Sequence, residues 1–185
     1  MPRQDEIDGL LAVINAPAWK FWVTGQRRAL AAKALGRIGK AAIPSLVASF
    51  PKRGAAYALL ALKEIGAAAI PACIAALSAP GGAYAALFFK EIGATCTDEL
   101  IAEFKGEGAA YAHIALVELG PRALPPLTRA LEDDPSEDVR MWAAMTLGAM
   151  GHWATEAIPA LQAAKRDPDA NVRQAAEEAI KKIGS

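Results

Sequence analysis

The chain has 185 residues, enough for one domain, and its 20 basic side chains balance 20 acidic ones, so bulk charge gives no pointer to nucleic acid. Apolar runs are broken by Lys, Glu or Gly short of the roughly 18–20 residues a membrane span needs, so no membrane partner is expected. Alanine supplies 44 residues, which favours helices that approach one another closely.

Asp5, Glu6 and Asp8 near the start are the wrong charge for a secretory leader. The two cysteines, Cys73 and Cys96, suit a reducing cytoplasm, where the protein is expected. A leading helix is predicted near Asp5–Ile14, and residues 1–23 read as an N-terminal cap. From residue 24 a repeat governs the chain. Aligned on Gly39, Gly66, Gly93, Gly120, Gly151 and Gly184, its spacings are 27, 27, 27, 31 and 33. Eight residues before each glycine stands an alanine (Ala31, Ala58, Ala85, Ala112, Ala143, Ala176), and four before it a large apolar residue (Leu35, Leu62, Phe89, Leu116, Leu147, Ile180). With apolar residues also one before, and mostly alanine five before (Phe88 and Thr146 apart), these offsets form one helical stripe. The glycine ends the helix as a residue able to take a left-handed conformation.

A second helix follows at once. Pro44, Pro71, Pro125 and Pro159 fit its first turn, where a missing N–H costs nothing. The third copy has Asp98 in that column after Thr97, and either side chain is a candidate cap. No copy alternates as a strand would. One such hairpin cannot bury its own apolar face, so neighbours must stack. The expected fold is all-α: an α-solenoid of five to six short hairpins, about twelve helices, in a single domain over 1–185, with repeats in 24–165 and a C-terminal cap in 166–185.

The last two links read "DDPSEDVRMWAAMTLGAMG" and "RDPDANVRQAAEEAIKKIG", and the first turn reads "GKAAIPSL". These residues resemble HEAT-like repeats of the phycobilisome-lyase type, from about Thr24 to the end. The resemblance implies an armadillo-type helical fold. It implies either an interaction scaffold or a subunit of a bilin-attaching complex, and it transfers no catalytic residue. The Val-Arg pair that opens the first helix stands at Val139-Arg140 and Val172-Arg173, and Arg28 keeps the arginine. In the middle units it becomes Gly54-Ala55, Gly81-Gly82 and Gly108-Ala109, the link shortens, and Tyr57, Tyr84 and Tyr111 appear three residues on. The expected reading is a volume exchange, with each tyrosine buried between successive units.

Motifs for chemistry are missing. Neither His113 nor His152 is followed by Glu, and the cysteines stand singly in core columns, so no metal or other cofactor is expected. No phosphate-binding glycine loop and no Gly-x-Ser-x-Gly is present, and the reading is non-enzymatic. Glu64, Glu91 and Glu118 recur two before the glycine and read as a solvated face.

Charge is uneven along the chain. Lys20, Arg27, Arg28, Lys33, Arg37, Lys40, Lys52 and Arg53 fall in a stretch with no acid, whereas Glu91 to Glu137 holds ten acids. Lys20, Arg27, Arg28, Lys33, Arg37 and Lys40 are therefore candidate anion-binding residues, with Trp19, Phe21 and Trp22 beside them able to stack on bases. The second helices present small residues. HEAT-type repeats use these helices to line the concave face. Ser45, Ala48, Ser49, Ala72, Ala75, Ala76, Glu99, Glu103 and Arg129 are accordingly the candidate partner-binding set. The expected function is a scaffold that takes a helical or extended protein segment there. Bilin-lyase-like pigment handling and nucleic-acid binding through the basic repeats are the alternatives, and a homodimer is a further option.

Overall fold

The computed structural model describes residues 4–17, 24–92 and 96–184. Twelve α-helices and no strand occur among them. The leading helix α1 (Gln4–Ile14) precedes six first helices: α2 (Gly25–Ile38), α4 (Ala55–Ile65), α6 (Gly82–Ile92), α8 (Ala109–Leu119), α10 (Glu137–Ala149) and α12 (Ala170–Ile183). Between them lie five second helices: α3 (Ile43–Val47), α5 (Ile70–Ala75), α7 (Thr97–Ala102), α9 (Leu124–Asp133) and α11 (Ile158–Ala164). The chain divides into two compact units, Met1–Ile92 and Gly93–Ser185. Each is a short run of α-solenoid. In the first, α4 packs on α2 and α6, and α3 on α5; in the second, α10 packs on α8 and α12, and α9 on α7 and α11.

The stripe is the core. The six alanines eight before the glycines are buried, and so are Leu35, Leu62, Phe89, Leu116 and Leu147; Ile180 in the last helix is half-buried. An alanine there lets the neighbouring helix approach, and the large residue a turn later fills the space beside it. The stretch Ala55–Ala75 is long and apolar enough, by length and composition, to cross a membrane. It is not one helix. Gly66 has φ 73° and ψ −144°, which ends α4 and starts the turn into α5. That conformation corrects one expectation: the glycine has positive φ, but its ψ places it in the mirror-β region rather than the left-handed helical one. A 3₁₀ turn, Gly66–Ala69, then leads into the next helix.

Proline stands in the first turn of α3, α5, α9 and α11. In α7 neither Thr97 nor Asp98 caps. Both lie inside the helix, and Cys96 at the cap position makes no side-chain cap bond. Asp98 and Glu99 sit in the first turn instead, where acidic charge suits the helix dipole.

The links stack on one another by two different devices. A Cβ on Gly54 would lie 2.6 Å from Asn15 Oδ1 and 2.8 Å from the Ile14 carbonyl oxygen. A Cβ on Gly81 would lie 2.7 Å from Phe50 Cβ. Both glycines are bare because the preceding link passes where a side chain would be. The Gly54 N–H donates to Asn15 Oδ1 at 3.2 Å, and Asn15 Nδ2 donates to Ser49 Oγ at 3.1 Å. In the longer links Val139 and Val172 fill that position, fully buried, and an arginine ties the chain. Arg140 donates to the Asp134 carbonyl at 2.9 Å within its own link and forks onto Asp167 of the next, at 2.7 and 3.0 Å.

Tyr57, Tyr84 and Tyr111 are half-buried rather than enclosed. Tyr84 stacks on Phe50, with ring centroids 6.1 Å apart and planes at 22°. Trp142, in the same repeat column, stacks on Phe104 at 6.0 Å and 22°. The aromatic of a first helix thus covers the end of an earlier link. The space vacated at the glycine is filled by that link's own chain, not by the tyrosine.

Candidate functional site

The second-helix candidates fall into two grooves, one in each unit. In the first unit a groove of about 380 Å³ runs between α3 and α5, walled by Pro44, Val47, Ala48, Ala72, Ala75 and Pro80. Ala48 and Ala75 are exposed, and Ser45 and Ala72 half-buried. Ser49 and Ala76 are buried, though Ala76 still lines the groove. Ser49 is 1% exposed and donates to the Ser45 carbonyl, and Ala76 is 6% exposed. In the second unit a groove of about 440 Å³ lies between α7 and α9 and is charged, walled by Asp98, Lys105, Arg129, Asp133 and Asp134 with Ile101 at its floor. Lys105 pairs with Asp134 at 3.5 Å. Glu99 and Arg129 are exposed and Glu103 half-buried. The two grooves share a place in the repeat but differ in chemistry, one alanine and proline, the other ionic.

Among the candidate anion ligands, Arg27, Lys33, Arg37 and Lys40 are exposed. Arg28 is half-buried and donates to the Ala16 carbonyl at 2.7 Å, a structural tie to the end of the leading helix. Lys20, Trp19, Phe21 and Trp22 lie outside the described residues.

Titratable side chains in the interior serve packing. Burial pushes the Cys96 thiol up to about 11, with Glu99 adding to the shift, so the reactive thiolate is disfavoured. His113 lies against Trp142 at 5.8 Å, and its Nδ1 is 2.9 Å from Thr146 Oγ1. Because the Thr146 hydroxyl donates to the Trp142 carbonyl at 2.6 Å, it accepts from His113, which fixes the proton on Nδ1. Burial, then the charge of Lys182, lowers the His113 pKa. Among the described residues no group of three His, Cys, Asp or Glu is placed to hold a metal ion.

One surface feature escaped the sequence reading. Leu60, Leu87, Ile114 and Met145, each six before its glycine, are 40, 44, 47 and 39% exposed, and Leu30 is 67% exposed. The arithmetic that found the buried stripe also marks this column: an offset of six points away from offsets of eight, five, four and one. Large apolar residues at that offset in four consecutive copies were the available signal.

Hairpins of this length and period, stacked first helix on first helix, define an α-solenoid repeat protein. Residues 93–181, a little under half of the chain, match the family model for HEAT repeats. No curated protein matches. Two solved structures are similar in extent. A designed armadillo repeat protein in complex with the peptide (KR)4 is 17% identical, with a TM-score of 0.35, covering 96% of this chain and 99% of that one. An engineered protein is 19% identical, with a TM-score of 0.37, covering 96% and 98%.

Proposed function

We propose that the protein is a non-enzymatic binding module whose second-helix face takes a protein segment. The observation that carries this reading is the α3–α5 groove, a trough of Ala and Pro side chains with Ala48 and Ala75 open to solvent. Small walls allow a helix or extended chain to approach the backbone closely, and the apolar surface gains from being covered. The charged α7–α9 groove supplies orientation through Arg129, Asp98 and Asp133. The finer likeness to the phycobilisome-lyase type rests on the Asp-Pro links and the Val-Arg pairs at 139–140 and 172–173, and describes a repeat variety rather than an activity.

The double variant Ala48→Glu/Ala75→Glu places two carboxylates in the groove at exposed positions. Affinity capture from lysate of the source cell, run side by side with the parent chain, should lose the specifically retained protein while circular dichroism stays unchanged. Equal recovery of that protein by the folded variant rejects the groove as the binding face.

A further inference from the structure

The exposed apolar column on the first helices belongs to neither groove, and charge brackets it. Along the first unit, the position six before the glycine reads Lys33, Leu60, Leu87 on α2, α4 and α6. Along the second it reads Ile114, Met145, Glu178 on α8, α10 and α12. Lys33 and Glu178 are exposed, and Glu178 accepts from Gln174 at 2.9 Å. Reversed and set against the first list, the second is its complement: Lys33 opposite Glu178, Leu60 opposite Met145, Leu87 opposite Ile114. Each unit also has a recess beside its own part of the column. Between α2 and α4 it is about 450 Å³, walled by Leu30, Lys33, Leu60 and Glu64. Between α10 and α12 it is about 240 Å³, walled by Met141, Met145, Ala175 and Glu178.

Total charge follows the same division. Residues 1–92 carry 11 basic and 5 acidic side chains, and residues 93–185 carry 9 basic and 15 acidic. An anionic lipid surface or a nucleic acid would suit the basic unit and be repelled by the acidic one. The occupant complementary to both is another copy running the opposite way.

We propose that this chain self-associates through its first-helix face, the first unit of one copy against the second unit of another. Leu60 then covers Met145, Leu87 covers Ile114, and Lys33 pairs with Glu178. Each such contact sets the first unit of one copy against the second unit of another. The apolar column supplies buried area and the end charges fix the register.

Sedimentation velocity of the full chain tests this at up to about 200 µM. The parent should associate at about 50 mM salt and weaken roughly tenfold by about 500 mM. Lys33→Glu and Glu178→Lys should each weaken association roughly tenfold, since each puts like charges together. The double variant Lys33→Glu/Glu178→Lys should recover the parent's behaviour. Leu60→Asp and Met145→Asp should each be monomeric alone yet associate when mixed, because each keeps the unit the other has lost. Ala48→Glu/Ala75→Glu should associate like the parent, which separates this face from the second-helix groove. A parent monomeric throughout, a single charge variant that associates as tightly as the parent, or a double variant that is not rescued overturns the proposal.

Discussion

Gly66 holds a backbone conformation that side chains resist, and nothing lies within 4 Å of where its Cβ would be. Substitution there therefore probes conformation without crowding. Gly66→Ala should cost about 1–3 kcal/mol, read as a lower urea midpoint at unchanged slope. The stop itself was legible in the sequence, because glycine alone takes positive φ at little cost, as Gly39, Gly66 and Gly120 do; Gly184 ends its helix at φ −89° instead. The ψ value was not legible, since it is set by the 3₁₀ turn that follows. Gly148 had no such signal. Its Cβ would lie 2.7 Å from Ala179 Cα, a constraint made by a neighbouring helix and invisible along its own.

At the scale of the element, Arg140 joins two links by a fork onto Asp167, and the two side chains are only 13% and 8% exposed. Hydrogen bonding from Arg140, ahead of an opposing burial effect, holds the Asp167 carboxyl below its ordinary 3.8. A depressed carboxylate stabilises the fold above its unfolded pKa and loses that contribution as pH falls through the folded one. Arg140→Met should cost about 1–2 kcal/mol near neutral pH, since the part-buried carboxylate loses the fork but keeps the Asp169 N–H. Arg140→Met/Asp167→Asn should cost less than the two single losses combined, measured by urea unfolding. The Val-Arg pattern announced a helix start in the sequence. It could not say that the arginine reaches the following link, because that contact spans 27 residues. The Asn15 bond to Gly54 was hidden for the same reason, at a separation of 39.

For the molecule as a whole, the column arithmetic was enough to find the helices, their order and the core, because burial repeats with the period. The candidate faces were only half legible. Ser49 and Ala76 carry the residue types of an open groove, yet both are buried, and Ser49 is bonded by Asn15 of an earlier link. Response to pH is also uneven between the units. His113, in the second, is held below its ordinary 6.5 by burial and by Lys182. The unfolded chain therefore binds a proton first as pH falls below 6.5, and stability drops with it. The urea midpoint reported by a probe in residues 93–185 should fall as pH drops below 6.5, and His113→Gln should flatten that slope. A slope unchanged in the variant would assign the drop to other groups.

The two kinds of joint differ in what a neighbour must supply. At Gly54 and Gly81 the approaching link offers backbone, Cβ and one amide, with no charged group to match. Such a joint asks for close backbone approach rather than for a matching charge. The Arg140–Asp167 joint needs its two halves on successive units, so neither can be gained or lost alone without leaving a charge stranded. The joints at Gly54 and Gly81 thus constrain the shape of the next link, whereas the Arg140–Asp167 joint constrains its charge.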